Sequence, residues 1–314
     1  MNLLAASYVL AAMGALATAP IVAATQGAML RQIDGLAPGS RARWITVLLA
    51  LPWIVGLAIV AVTLGHCVVP MWFGAVDDCV PGVGVCVRDG APVGRATLLF
   101  AVLVSLRPAH ALWRAVTGVI AARRAAKRLR AIGVESAEHD GWTVPGTTAA
   151  MLGFPREELF VGEALHEALS EQELAAVVAH ERAHKERNDV LRRMLARVLA
   201  SAHFDATGRE LVEALDLAIE QRCDEHASEQ VRDPLVVARA LVQAATLEAK
   251  DAKAPAPQSL PARVAALCAP SWIARPALVS FVAAAGVALA LAAAASAHEV
   301  HTVAESILAA IARA

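Results

Sequence analysis

The sequence contains few charged residues and only one tyrosine. Asp, Glu, Lys and Arg make up 18% of its 314 residues, whereas 57% are apolar. Soluble domains carry about 25% charged and about 45–50% apolar residues, so this composition argues against a disordered chain, a collagen-like chain and an ordinary cytosolic enzyme. The basic excess of a nucleic-acid-binding protein is also missing, because the net charge is −1. The class that remains is a protein embedded in membrane lipid, with no direct nucleic-acid partner.

Four apolar segments are long enough to cross a membrane as helices, which takes about 20 residues. They lie at roughly 3–25, 44–65, 95–118 and 276–297. The third is the weakest, because Arg107 and Arg114 interrupt its second half. We interpret the first as a span rather than a cleaved signal peptide, since no positive charge precedes its apolar run.

The arginines and lysines between these segments predict the orientation. They are frequent in the first loop and directly after the third segment, whereas Arg88 is alone in the interior of the second loop. By the positive-inside rule, both basic regions are cytoplasmic and both termini are extracytoplasmic. The predicted parts are three spans in 1–120 with a cytoplasmic loop (26–43) and an outer loop (66–94), a cytoplasmic domain (121–275), a fourth span (276–297) and an outer tail (298–314).

The cysteines divide between the two sides in this topology. Cys67, Cys79 and Cys86 fall in the outer loop, where turn residues between the last two favour a local disulfide. The alternative is a metal site of Cys67 with neighbouring and tail histidines.

The predicted cytoplasmic domain contains the motif H-E-x-x-H at residues 180–184. Ser170 and Glu173 predict a capping box at the start of the helix that carries it. Residues i and i+4 share a helix face, so His180 and His184 can bind one zinc ion while Glu181 lies beside it. A chance match on an exposed helix is the alternative, and the small apolar flanking residues argue against it.

A catalytic zinc needs a third protein ligand, and Glu220 is the candidate. Asp224 follows one helical turn later and can accept a hydrogen bond from a ligating histidine. An exposed charged helix is the alternative, although the apolar residues around Glu220 argue against full exposure.

Together these motifs resemble the BlaR/MecR-type membrane antirepressor zinc metallopeptidases. The resemblance rests on His180-Glu181-x-x-His184 after three spans, on Arg187-Asn188-Asp189, and on Glu220-x-x-Cys223-Asp224-Glu225. It implies a mainly α fold: a four-helix transmembrane bundle with a cytoplasmic gluzincin-like α+β zinc metallopeptidase domain inserted between spans three and four. It also implies that Glu220 is the third zinc ligand and that the segment 158–165 is the edge strand for a substrate peptide. A plain core strand is the open alternative for that segment.

The same resemblance implies a multi-pass protein of the bacterial inner membrane that responds to a signal. Its substrate would be a cytoplasmic BlaI/MecI-like transcriptional repressor, and possible self-cleavage is part of the implied activity. The penicillin-binding sensor domain of the best-known members is not expected after the fourth span.

The expected chemistry is peptide hydrolysis, with Glu181 as the general base. A quality-control protease of the HtpX or CAAX-prenyl-protease type and a non-catalytic zinc-binding receptor are the alternatives. An oxyanion needs a further donor, and the only tyrosine, Tyr8, lies in the first span. His203 is therefore the first candidate for that role and Arg222 the second.

Overall fold

The computed structural model describes residues 3–72, 95–252 and 258–269. Within these residues the chain is mainly helical, with one small sheet. The helices are α1 (Leu3–Ile33), α2 (Pro38–Trp72), α3 (Arg95–Ile132), α4 (Glu163–Ala168), α5 (Glu171–Glu186), α6 (Asp189–Ala200), α7 (Asp205–Val231), α8 (Pro234–Ala252) and α9 (Leu260–Cys268). The strands are β1 (Val134–Ser136), β2 (Gly141–Val144), β3 (Ala149–Leu152) and β4 (Glu158–Gly162).

The first three helices are long and apolar enough to cross a membrane. The candidate spans are Ala11–Ile33, Pro38–Ala61 and Leu99–Ile132, which confirms the first three apolar segments as candidate membrane helices. The predicted fourth span, the tail at 298–314 and the pair Cys79–Cys86 lie outside the described residues.

A glycine contact sets the close packing of α1 against α2. A Cβ atom on Gly56 would lie 2.4 Å from the carbonyl oxygen of Ala11, and one on Gly14 would lie 2.9 Å from the Cα atom of Gly56. Only glycine permits this backbone approach, as in other pairs of membrane helices that meet at small residues.

The sheet has the strand order β1-β2-β4-β3. Strand β4 pairs in parallel with β2 and antiparallel with β3, so both of its edges are occupied. The prediction that 158–165 forms an edge strand is therefore wrong, and its last residues begin α4 instead. Leu159, Phe160 and Val161 are buried, because β4 is the core strand of the sheet. The strand with a free edge next to α5 is β3.

Helices α6 and α7 share a hydrophobic core with α1 and α2. Ile33, Ile45 and Leu49 of the membrane helices pack in one cluster with Leu215 and Ile219 of α7. The indole Nε1 of Trp53 in α2 also donates a hydrogen bond to the carbonyl oxygen of Leu199, at 3.1 Å. The region that carries the H-E-x-x-H motif thus packs directly on the candidate spans.

Candidate active site

Helix α5 begins at the predicted capping box. The Ser170 side chain accepts a hydrogen bond from the backbone N–H of Glu173, and the Glu173 carboxylate accepts one from the backbone N–H of Ser170. This confirms the sequence prediction. The register that follows places His180 and His184 on one buried face, with ring centroids 4.9 Å apart.

Glu220 of α7 faces both histidines. Its Oε2 atom lies 3.5 Å from Nε2 of His180, and its Oε1 atom lies 3.6 Å from Nε2 of His184. One ligand atom from each of the three side chains lies within 4.8 Å of the others. Two imidazoles and one carboxylate in this arrangement fit a zinc ion with one open position. The donor set therefore suits a catalytic metal.

A carboxylate lies beside the other ring nitrogen of each histidine. Asp224 Oδ1 is 2.9 Å from Nδ1 of His180, and Asp189 Oδ2 is 3.1 Å from Nδ1 of His184. The contact of Asp189 is a hydrogen bond, which fixes the tautomer of His184 and leaves its Nε2 lone pair for a metal. The contact of Asp224 with His180 is a close approach of charge without hydrogen-bond geometry. Asp224 was proposed from the sequence for this contact. The sequence shows Asp189 only as part of the family pattern, although its place just after the motif helix is a signal for this role.

Cys223 lies beside the His184–Asp189 pair. Its Sγ atom is 3.3 Å from His184 Nδ1 and 3.6 Å from Asp189 Oδ2. Burial and the nearby carboxylates raise the pKa of this thiol well above its usual range. A thiol binds a metal as the thiolate, and these surroundings disfavour the thiolate of Cys223 in the metal-free site.

Two arginines that the sequence did not single out contact Glu220. Arg193 Nη2 of α6 lies 2.5 Å from Glu220 Oε1, and Arg263 Nη1 of α9 lies 2.9 Å from Glu220 Oε2. Arg263 also donates two hydrogen bonds, of 2.6 and 2.7 Å, to Asp224. No spacing in the sequence connects either arginine to the motif, because tertiary packing alone brings α6 and α9 to the site.

The charges of this cluster set the protonation states of its members. Burial opposes ionisation of Glu220, but its contact with His180 and the charge of Arg263 hold its pKa well below the usual range. Burial likewise opposes protonation of His180, yet contacts with Asp224 and Glu220 raise the pKa of His180 to about 9. Without a metal, the site therefore holds an imidazolium where zinc would require a neutral ring.

Glu181 faces a cleft of about 320 Å³ that contains the histidines and Glu220. Its Oε2 atom accepts a hydrogen bond of 3.1 Å from the backbone N–H of Met151 in β3. Strand β3 forms one wall of the cleft, and α8 forms another with Leu241 and Ala244. A free strand edge beside a carboxylate and a candidate metal position suits an extended peptide.

The structure does not bring His203 or Arg222 to this cleft. His203 is buried, and its Nε2 atom lies 3.1 Å from the carbonyl oxygen of Leu49 in α2. Burial lowers the pKa of His203, as expected for a ring enclosed between helices. Arg222 lies two residues beyond Glu220, which turns it about 200° around α7, and its Cδ atom approaches Gly39.

Residues 136–257 match the family model of Peptidase family M48. The match begins at the last residue of β1, ends just beyond α8 and covers less than half of the chain. It contains His180, Glu181, His184, Glu220 and Asp224. No curated protein and no solved structure matches the chain. The match supports a metallopeptidase, and the candidate spans support a membrane metallopeptidase. It does not single out the BlaR/MecR type.

Proposed function

We propose that the chain is an integral-membrane zinc metalloendopeptidase whose active site faces the cytoplasm. One observation carries the proposal: His180, His184 and Glu220 converge beside Glu181, in a cleft with a free strand edge. The family match supports the same class. The excess of basic residues around the cleft-bearing domain supports the cytoplasmic side.

In the proposed mechanism, each residue of the cleft has one task. His180, His184 and Glu220 hold zinc, which when bound polarises a carbonyl and lowers the pKa of a water molecule. Asp224 and Asp189 hold the two imidazoles in their tautomers. Glu181 takes the proton of the attacking water and returns it to the leaving amine. The edge of β3 aligns the peptide so that the scissile carbonyl reaches this group of residues.

The proposed substrate is a cytoplasmic transcriptional repressor of the BlaI/MecI type, and self-cleavage belongs to the same proposal. The support is the resemblance of the motif set to the BlaR/MecR type, which also motivates a signal-responsive role and the bacterial inner membrane. The fourth span at 276–297, with the peptidase domain inserted before it, is part of the proposal as well.

A second candidate is a quality-control protease that cleaves membrane proteins, of the HtpX or CAAX-prenyl-protease type. The packing of α6 and α7 on α1 and α2 favours it, because the cleft then lies close to the membrane. The identity of the shortened substrate separates the two candidates. The experiment looks for proteins that are shortened when the wild-type chain is expressed and stay intact when Glu181→Gln is expressed. The first candidate predicts that these proteins are soluble repressors. The second candidate predicts that they are membrane proteins.

The test of the enzyme class uses the full chain purified in lipid nanodiscs. Zinc content and cleavage of a peptide library are measured for the wild type and Glu181→Gln, with Glu186→Gln as control because Glu186 is exposed on the same helix. We expect Glu181→Gln to keep zinc and lose cleavage, and Glu186→Gln to keep both. Zinc without cleavage in every variant would favour the non-catalytic receptor and contradict the proposal.

A further inference from the structure

A second cavity, of about 870 Å³, lies between α3 and the α6–α7 corner. We call this cavity the α3 groove. Gly118 lies on its α3 wall, and a Cβ atom there would meet no described atom within 4 Å. The other wall is formed by α6 and the first turns of α7, including Arg197 and Val212. The α3 groove and the catalytic cleft share Met151, Val190 and Arg193.

One end of the α3 groove lies near α2. Ser201 and Asp205 line that end, and they flank His203, which contacts Leu49 of α2. Leu199, which precedes them, accepts the hydrogen bond of Trp53. Leu49 and Trp53 both belong to the candidate span Pro38–Ala61. The groove therefore runs from the catalytic cleft toward α2 and along α3, which both contain candidate spans.

Cations line the α3 groove in excess of anions. Five arginines line it, namely Arg107, Arg114, Arg193, Arg197 and Arg209, against the three acidic residues Glu157, Asp205 and Glu213. Arg107 pairs with Asp205 at 2.5 Å. Among the residues that the structure describes, the exposed side chains of Arg114 and Arg197 have no hydrogen bond or close ion pair, although Arg197 acts on the charge of Asp216. Two exposed arginines that lack a close partner and line the same groove attract an anion.

The walls between these cations are small and apolar. Ala111, Ala115, Val119 and Ala122 follow one face of α3 within the groove. A headgroup phosphate satisfies arginines through paired hydrogen bonds, and an acyl chain fits an apolar wall. A membrane-anchored peptide fits less well, because segments at a cytoplasmic membrane face usually carry Lys and Arg.

We propose that the α3 groove binds one anionic phospholipid. Arg114 and Arg197 hold its phosphate, and an acyl chain lies along Gly118 and its apolar neighbours. Because Arg193 lines both the groove and the cleft, the lipid lies next to a residue that contacts Glu220. The site is independent of whether the cleft cleaves peptides.

The experiment measures lipid retention by the full chain in detergent, by native mass spectrometry after exchange with phosphatidylglycerol or phosphatidylcholine. We expect about one tightly held phosphatidylglycerol per chain and no retained phosphatidylcholine. The double variant Arg114→Gln/Arg197→Gln should weaken retention about tenfold or more, since charge-assisted hydrogen bonds are lost. Arg128→Gln, which changes an exposed arginine outside the groove, should not.

A second variant keeps every charge and fills the groove. Gly118→Leu places a side chain in the open space above α3, so it should also release the lipid while the thermal unfolding midpoint in detergent stays within a few degrees. Equal retention of both lipids would overturn the proposal, as would unchanged retention in both groove variants. If the chain retains neither lipid but binds an acidic peptide tightly, the groove is a peptide site and the proposal is overturned.

Discussion

Arg41, near the start of α2, hydrogen-bonds the side chain of Gln221, the residue after the candidate ligand Glu220. Both side chains are buried, and Arg41 also pairs with Asp34 at 3.0 Å. Gln221 in turn donates a hydrogen bond of 3.0 Å to the carbonyl oxygen of Ala262 in α9. The next residue is Arg263, which contacts Glu220 and Asp224. A continuous series of contacts therefore joins the first two membrane helices to the candidate metal site.

We expect Gln221→Leu to destabilise the protein and to weaken metal binding. The variant removes the bond to Ala262 and the acceptor for Arg41, and a buried group left without its partner costs about 1–3 kcal/mol. The thermal unfolding midpoint in detergent and zinc affinity measure the two effects. Gln172→Leu, on the exposed face of α5, is the control. Wild-type values for Gln221→Leu would mean that α9 is held without this contact.

Asp189→Asn and Asp224→Asn should each lower zinc affinity by about 10–100-fold, which is typical when the partner of a ligating histidine is changed. The neutral amide keeps the shape but no longer stabilises the imidazole tautomer. Competition with a chelator measures the affinity, and Asp251→Asn at the exposed end of α8 serves as control. An unchanged affinity for either variant would remove that aspartate from the site.

Zinc affinity should rise with pH because zinc must displace a proton from His180. The pKa of His180 is raised to about 9 in the metal-free site, and only the neutral ring binds metal. We therefore expect apparent affinity to increase about tenfold per pH unit between pH 7 and about 9 and then to level off.

The stability of the metal-free protein should fall as the pH rises, whereas zinc affinity should increase. A raised pKa stabilises the fold fully below the unfolded value of about 6.5, and this contribution is lost as the pH rises through about 9. Unfolding midpoints of the metal-free protein across this range provide the check. A midpoint that rises with pH would mean that His180 is not held as an imidazolium.

Local periodicity was enough to predict the parts of the site that lie on single helices. The capping box at Ser170, the shared face of His180 and His184, and the one-turn spacing of Glu220 and Asp224 all follow from helix geometry. The three candidate spans follow from segment length and hydropathy. Each of these features depends on residues within a few turns of one another.

Contacts between distant elements were not predictable in this way. The family resemblance implied that 158–165 is an edge strand, but pairing with β2 and β3 encloses β4, as in the alternative of a core strand. Arg193 and Arg263 reach Glu220 only because α6 and α9 pack on α7. His203 follows the motif helix closely in sequence, but the turn after α6 directs it toward Leu49.

The donor for the developing oxyanion should be an arginine of the cleft rather than His203. Arg193 and Arg263 both line the cleft and both contact Glu220. Two further hydrogen bonds bind Arg263 to the buried Asp224, whereas the further partner of Arg193 is the partly exposed Asp216. Arg193 and Met151 of the proposed substrate-binding strand both line the cleft and the α3 groove. We therefore expect Arg193→Met to reduce kcat by about 10²–10³-fold, as for loss of one oxyanion donor, and Arg193→Lys to restore part of it.

The variant His203→Ala tests whether the oxyanion donor is Arg193 or His203. The histidine bonds to the Leu49 carbonyl and not to the cleft, so its loss should lower the unfolding midpoint while kcat and zinc content per folded chain stay near wild type. Zinc content must also be retained in Arg193→Met, since Arg193 contacts Glu220 and loss of metal would itself abolish turnover. A fall of about 10²-fold in kcat for His203→Ala with zinc bound would return the role to His203. That result would require the α6–α7 corner to rearrange when substrate binds.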